Sequence, residues 1–256
     1  MSSNENYSED DDKKIYKIIS ERFYSKLKKA DKAPALIPHN YPRYFGEKFE
    51  HYRAKFCGKK LKGDDFKTLA PHEWLNDMIV NYYVELIENR SMKDRSLPKV
   101  YAFSSFFYNA YRKQGYSGIK SWINATIFDF DYILLPIHDK DRAHWIMIIV
   151  DVSEKIIASF DSLGGDTSIK HLEHVRKFLV THAEKTEDLG DRNDGWEIFV
   201  DKTAPLQSNG YDCGVYACQY AQYITKERYL EFKQSQMEYF RKRMEYELMK
   251  GKLLKD

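Results

Sequence analysis

One run of six residues, at positions 145–150 (WIMIIV), most limits the folds open to this chain, because it is apolar at every position. A strand with one solvated face alternates polar and apolar residues, whereas a continuous apolar run predicts a strand covered on both faces. A second run at 156–160 (IIASF), apolar except for Ser159, follows the turn residues 153–155. Together the two runs predict a β-hairpin inside the protein.

Two polar residues, His144 and Asp161, flank this predicted hairpin. In an antiparallel hairpin centred on residues 153–155, the numbers of paired residues add up to about 305 to 307. The numbers of His144 and Asp161 add up to 305. Polar strand ends are common, but this register also predicts that the imidazole and the carboxylate lie side by side.

A cysteine, Cys213, stands at the predicted start of a helix over residues 212–224 (DCGVYACQYAQYI). The preceding Asn209 and Gly210 are typical of a turn, and an apolar stripe repeats every third residue along the segment. A thiol there meets unpaired N–H groups and the positive end of the helix dipole, which stabilise a thiolate. Most helical cysteines are small core residues, so the position alone indicates a nucleophile only weakly.

These residues form a hypothesis of nucleophilic catalysis. A cysteine nucleophile needs a base that takes its proton and a third group that orients the imidazole. His144 and Asp161 would supply that pair to Cys213. Gln207, which precedes Cys213 by six residues, would place a side-chain amide beside the Cys213 N–H as an oxyanion donor.

Composition excludes several function classes. The chain has 256 residues, enough for one large domain or two small ones. Its 41 basic and 39 acidic side chains leave a charge of +2, which gives no general attraction to nucleic acid. Three cysteines do not make a disulfide framework and favour a reducing compartment. Without a run of ~18 apolar residues or an apolar leader, we expect a soluble intracellular protein with no membrane span.

Periodicity predicts the remaining elements. An amphipathic helix over 15–27 carries a solvated basic face at 26–29, and residues 33–48 form an extended connection. Helical spacing alone favours Trp74 as a residue that caps the core. His171 and His174 share a helix face, but no third ligand is evident, so we predict no metal site. We expect further helices at 68–90, 103–111, 168–180 and 231–254, and strands at 132–137 and 196–200.

Seven motifs follow one another along the chain: WLND (74–77), FSSFFY (103–108), DYILLPIH (131–138), HWIMIIVD (144–151), FDSLGG (160–165), LQSNGYDCG (206–214) and FRKRMEYELMKGKLL (240–254). In this order they resemble the ubiquitin-like-protein-specific protease family, which comprises the SUMO-deconjugating or sentrin-specific cysteine proteases. The resemblance covers roughly residues 60–254, and seven motifs in register are far more specific than any one.

The resemblance implies an α+β fold of the papain-like cysteine protease type, with a central mixed sheet flanked by helices. Residues 1–60 would be an N-terminal extension, partly disordered and then helical, and residues 61–256 the catalytic domain. It also implies a role for each matched residue. His144, Asp161 and Cys213 would be the triad, Gln207 the oxyanion donor, Trp74 and Trp145 a tunnel over a Gly-Gly tail, and Asp77 a contact to the body of the modifier.

The expected function is a thiol isopeptidase that cleaves after the C-terminal Gly-Gly of SUMO, deconjugating it from target lysines and processing SUMO precursors. SUMO is favoured by the His144–Trp145 pair and the C-terminal helix. The alternatives are the neddylation modifier or ubiquitin as substrate, an acetyltransferase using the same triad, and a catalytically silent modifier-binding module. We expect no cofactor, no metal and no nucleic-acid partner, and a monomer in the nucleus, the cytoplasm or both.

Overall fold

A mixed sheet of five strands carries the structure, a computed structural model that describes residues 9–29, 37, 60–186 and 194–255. The strands lie in the order β1-β2-β3-β4-β5. The outer pairs β1–β2 and β4–β5 are parallel, and the inner pairs are antiparallel. The strands are β1 (Val100–Ala102), β2 (Tyr132–Asp139), β3 (His144–Asp151), β4 (Ile156–Phe160) and β5 (Glu197–Val200).

Seven α-helices surround this sheet in the described residues. Short 3₁₀ segments at Lys120–Trp122, Ile127–Asp129 and Gln234–Gln236 connect or extend some of them. None of the helices in these ranges is long and apolar enough to cross a membrane. The helices are α1 (Glu9–Tyr24), α2 (Gly63–Lys67), α3 (Asp77–Lys93), α4 (Ser105–Ile119), α5 (Ile169–Lys185), α6 (Cys213–Ile224) and α7 (Met237–Lys250).

The central strand β3 is buried at every position, as its continuous apolar run predicts. Its alternate side chains enter two separate hydrophobic clusters, because successive residues of a strand point to opposite faces. Trp145, Met147 and Ile149 join the cluster that contains α3, α6 and α7 side chains. Ile148 and Val150 join the cluster formed with α4 and α5. The sheet is therefore the middle layer between two groups of helices.

The predicted hairpin of β3 and β4 is present. Met147 pairs with Phe160 and Asp151 pairs with Ile156, so the numbers of paired residues add up to 307, within the predicted range. On its other side, β3 begins with His144 opposite Asp139, the last residue of β2. The register leaves Asp161 directly after the end of β4, at the same end of the sheet as His144.

The helix predicted over residues 68–90 is wrong at its N-terminal end, because α3 begins only at Asp77. Asn76 caps α3 by accepting a hydrogen bond from the Ile79 N–H (3.0 Å). The preceding residues form turns, with His72 at a positive φ of 69°. The C-terminal helix likewise begins later than predicted, at Met237, after the 3₁₀ turn.

Helix α1 packs against the edge of the sheet. Ile19, Phe23 and Leu27 are buried in the same cluster as the α6 side chains. The Phe23 ring contacts the rings of Phe160 and Phe199, with centroids 5.8 and 5.9 Å away. The division at residue 60 stays a prediction, but this helix shares a core with the chain beyond it. Most of the extension between residues 30 and 59 lies outside the described residues.

Two details of the first predicted helix are wrong. Ile15, assigned to the buried face, is 43% exposed. The basic cluster at residues 26–29 is not a solvated helix face, because α1 ends at Tyr24. Instead the Lys26 ammonium contacts the buried Asp151 carboxylate at 2.9 Å. A long-range ion pair of this kind has no local sequence signal.

Replacing Phe23 with Ala should lower the free energy of unfolding by about 3–5 kcal/mol, because it empties a fully packed aromatic site. The matched control is Ile18→Ala on the same helix, since Ile18 is 56% exposed. Urea unfolding followed by tryptophan fluorescence measures both. Equal midpoints for the two variants would show that α1 is not part of the folded unit.

Candidate active site

The structure brings Cys213, His144 and Asp161 together at one end of the sheet. Cys213 is the first residue of α6, and His144 opens β3. The His144 Nε2 lies 2.7 Å from the Asp161 Oδ1, and the His144 side chain is also hydrogen-bonded to Cys213. Because Nε2 faces Asp161, Nδ1 is the ring nitrogen left for the thiol. All three side chains are almost fully buried.

The surroundings favour the charged forms of the imidazole and the carboxylate. Burial lowers the pKa of His144, but hydrogen bonds and charges of Asp161 and Cys213 outweigh it and raise the pKa to about 9. Burial raises the pKa of Asp161, but hydrogen bonds from His144, Arg142 and the Leu163 N–H hold it below the ordinary value. At neutral pH the pair is therefore an imidazolium beside a carboxylate.

Arg142 contacts this pair and was missed by the sequence reasoning. Its Nη1 donates to the Asp161 Oδ2 at 2.8 Å and to the Thr167 Oγ1 at 2.7 Å. The available signal was its place two residues before His144, at the end of the hairpin where Asp161 was expected. A charged residue in a surface turn is usually solvated, so that signal was weak.

Gln207 is held on the loop that leads to α6. Its N–H donates to the Ser162 carbonyl oxygen at 2.9 Å, and the Ser162 hydroxyl donates to its Oε1 at 2.6 Å. Its Nε2 donates to the Asn209 carbonyl oxygen. A primary amide carries two N–H protons, so this bond commits one of them. The side chain is fixed in orientation, and its oxyanion role stays a prediction.

The two tryptophans of the predicted tunnel have different environments. Trp74 is 53% exposed, whereas Trp145 is 4% exposed and packs in the core. The Trp145 Nε1 donates to the Leu75 carbonyl oxygen at 2.9 Å, which ties it to the residue after Trp74. Leu75 also lies against the start of α6, where a Cβ added at Gly214 would come within 2.8 Å of the Leu75 Cβ. Glycine at 214 thus lets the Trp74 segment approach the start of α6 and Cys213.

Asp77, the predicted contact to a modifier, is the first residue of α3. Its charge acts on His138 near the end of β2. Burial lowers the pKa of His138, and the nearby Lys140 adds to this effect, while the Asp77 charge opposes it. The His138 ring in turn packs on Trp145, with centroids 4.8 Å apart. Asp77 therefore lies beside the tryptophan-containing part of the site.

Arg241 of α7 ties the two sides of the site together. It is buried, and its Nε and Nη2 donate to the Asp212 Oδ1 at 3.0 and 2.8 Å. Asp212 directly precedes Cys213. The same guanidinium also donates to the carbonyl oxygens of Thr68 (3.2 Å), Ala70 (3.0 Å), Glu73 (2.8 Å) and Tyr211 (3.1 Å). One side chain thus fixes both the segment before Trp74 and the residue before Cys213.

A cysteine at a helix start, beside a histidine–carboxylate pair at the end of a mixed sheet, is typical of the papain-like α+β fold. Comparison with known proteins narrows this class. Residues 73–253 match the Ulp1 protease family, C-terminal catalytic domain. The chain belongs to the Ulp1 protease family, which confirms the family resemblance and the fold class.

The individual relatives agree with this assignment. A sentrin-specific protease of Caenorhabditis elegans is 39% identical over 74% of this chain and 27% of its own length. Sentrin-specific protease 2 of Mus musculus is 33% identical over 76% of this chain and 33% of its own length. The chain thus spans about a third or less of these relatives. A solved structure of the SUMO protease Ulp1, with its catalytic cysteine oxidised to a sulfonic acid, is 29% identical to this chain and superposes with a TM-score of 0.65. The match covers 75% of this chain and 84% of the chain in that structure.

Replacing Cys213 with Ser should lower the pKa of His144 by about one pH unit or more, because the hydrogen bond and charge of Cys213 contribute to its elevation to about 9. NMR titration of ring-labelled histidine measures the midpoint. The raised pKa also makes the free energy of unfolding depend on pH. The contribution of His144 to stability is fully present below its ordinary pKa of 6.5 and is lost as the pH rises through about 9. A His144 titration midpoint in Cys213→Ser that equals the wild-type value would show that Cys213 does not interact with the His144 ring.

Replacing Arg241 with Met should increase amide hydrogen exchange at residues 68–76, because the carbonyl oxygens there lose their donor. The variant also leaves the buried Asp212 unpaired, at a cost of about 3–5 kcal/mol. The control is Arg243→Met on the same helix, which breaks an equally buried pair with Glu247. We expect a similar loss of stability there without the local exchange. Identical exchange maps for the two variants would contradict the role given to Arg241.

Proposed function

We propose that this chain is a thiol-dependent isopeptidase that cleaves after the C-terminal Gly-Gly of SUMO, releasing it from target lysines and trimming SUMO precursors. The observation that carries the proposal is the buried contact of Cys213, His144 and Asp161 in a chain of the Ulp1 protease family. The names of the relatives supply the modifier, since they are sentrin-specific proteases and a SUMO protease.

In the proposed reaction each group takes one step. In the reacting state the His144 imidazolium, whose pKa is about 9, holds the proton that it later donates. The sulfur attacks the carbonyl carbon of the last glycine, and the Cys213 N–H and the second amide proton of Gln207 bind the resulting oxyanion. His144 then gives its proton to the departing lysine amine, which leaves a thioester. Water, deprotonated by His144, attacks the thioester and frees the modifier and the thiol.

Substrate selection rests on Trp74, Trp145 and Asp77. The exposed Trp74 ring and the buried Trp145, linked through Leu75, would form the walls of a narrow passage to Cys213. A tail that lies flat between aromatic walls can carry no side chain, so the passage would select Gly-Gly. Asp77, at the start of α3 beside this passage, would contact the body of the modifier.

The remaining expectations belong to the same proposal. The enzyme would act as a monomer, without cofactor or metal, in the nucleus, the cytoplasm or both. Nothing in the charge balance of +2 favours a nucleic-acid partner. Among the described residues, no group of three or more His, Cys, Asp or Glu side chains could hold a metal ion.

A panel of C-terminal propargylamide probes of SUMO, the neddylation modifier and ubiquitin tests the proposal. Wild-type protein should form a covalent adduct fastest with the SUMO probe. Cys213→Ser should abolish labelling and reduce cleavage of a SUMO–lysine conjugate by about 10⁴-fold or more, while binding persists. Cys218→Ser is the matched control and should be labelled as fast as the wild type. Burial raises the pKa of the Cys218 thiol, so this thiol should not react with the probe in any variant that retains it.

The outcomes separate the alternatives. If the ubiquitin probe or the neddylation-modifier probe labels the protein faster, that modifier and not SUMO is the substrate. The proposed protease chemistry would then still hold. Cleavage by the Cys213→Ser variant would overturn the assignment of the nucleophile. An acetyltransferase would instead acetylate target proteins incubated with acetyl-coenzyme A, which mass spectrometry detects. Binding of SUMO without cleavage by the wild type would indicate a silent binding module.

A further inference from the structure

We propose that Arg142 is a positioning residue of the His144–Asp161 pair, which fixes the Asp161 carboxylate from its outer oxygen and limits the protonation of His144 by its charge. The catalytic consequence rests on the proposed isopeptidase activity. The electrostatic consequence does not, because it is a property of the protein without substrate. None of the seven motifs that carry the family resemblance includes residue 142.

The hydrogen bonds to Asp161 divide between its two oxygens. Oδ1 accepts from the His144 Nε2 at 2.7 Å and from the Leu163 N–H at 2.9 Å. Oδ2 accepts from the Arg142 Nη1 at 2.8 Å. With both oxygens held, the carboxylate cannot rotate about its last bond, and Oδ1 stays directed at the imidazole. This orientation is what a catalytic histidine requires of its carboxylate partner.

The turn between β2 and β3 places the guanidinium over the carboxylate. Ala143 adopts a positive φ of 48°, which is uncommon for a residue with a side chain, and so reverses the chain between Arg142 and His144. The Thr167 hydroxyl accepts a second hydrogen bond from the Arg142 Nη1 at 2.7 Å. The Arg142 side chain is 24% exposed. It is therefore anchored at two points and covers the outer side of the pair.

Two cations, Arg142 and the His144 imidazolium, share one buried carboxylate. Two positive charges in contact with the same carboxylate repel each other, and the low exposure of Asp161 reduces screening by solvent. Other titratable groups also face the pair: Cys213 and Tyr220 from α6, and His138 and Asp139 from the end of β2. Besides the imidazolium itself, Arg142 is the group whose positive charge contacts Asp161 directly. Its removal should therefore raise the pKa of His144.

This electrostatic effect matters for the second half of the reaction. A general acid works best when its pKa is near the operating pH, because it must give up its proton to the leaving amine and later take one from water. Asp161 and Cys213 hold the pKa of His144 at about 9. A cation on the far side of Asp161 opposes this elevation. Arg142 would thus keep His144 able to release its proton.

The test compares Arg142→Ala, Arg142→Lys and Lys140→Ala with wild type. Lys140 lies in the same turn, but its charge faces His138, so it controls for net charge. NMR titration of His144 should give a midpoint about 0.5 to 1 pH unit higher in Arg142→Ala. The midpoint should stay at the wild-type position in Arg142→Lys and Lys140→Ala. Hydrolysis of a SUMO C-terminal fluorogenic amide should show kcat about threefold or more lower in Arg142→Ala, with KM unchanged.

A His144 midpoint in Arg142→Ala that equals the wild-type value, or that moves equally in Lys140→Ala, would overturn the inference. If Arg142→Ala does not fold, Arg142→Gln removes the charge while keeping hydrogen-bond donors, and its midpoint decides the question. Failure of every variant, including wild type, to hydrolyse the SUMO amide would count against the proposed function. The NMR midpoints would still decide the electrostatic part of this inference.

Discussion

The site depends above all on one buried ion pair, Arg241 with Asp212. Both side chains are 3% exposed, so the charges have lost their water and need partners inside the protein. The carboxylate supplies one partner, and backbone carbonyl oxygens supply the others. Those carbonyls lie just before Trp74 and just before Cys213. The position of the exposed Trp74 relative to Cys213 is therefore set by a side chain from a third, distant segment of the chain.

The sheet provides the second constraint, since it fixes His144 and Asp161. β3 is buried on both faces, and His144 is its first residue. Asp161 follows β4 at the same end of the sheet. Helix α6 packs against β3 and brings Cys213 to that end. Each reactive group lies at the terminus of an element whose body is in the core, where close packing keeps the geometry constant.

Sequence patterns located the elements that carry chemistry but not the contacts that orient them. The β3–β4 hairpin followed from an apolar run and a turn, so the adjacency of His144 and Asp161 could be predicted by counting. The helix predicted over residues 68–90 includes residues 68–76, which lie before the start of α3 at Asp77. That prediction was wrong, because the carbonyl oxygens in this segment bond to Arg241, far away in sequence. Lys26 was misassigned for the same reason, since its partner Asp151 is equally remote.

The choice of an arginine at position 241 is better explained by geometry than by stability. A buried ion pair is often no more stabilising than apolar side chains of similar volume. Apolar side chains, however, could not bond the carbonyl oxygens of two separate segments, which would then be buried without donors. A planar guanidinium has five donors in fixed directions, so it can bond both segments and fix the distance between them. Because Arg241 belongs to α7, the packing of this helix sets the distance between the Trp74 segment and Cys213. A substrate tail would have to match that distance.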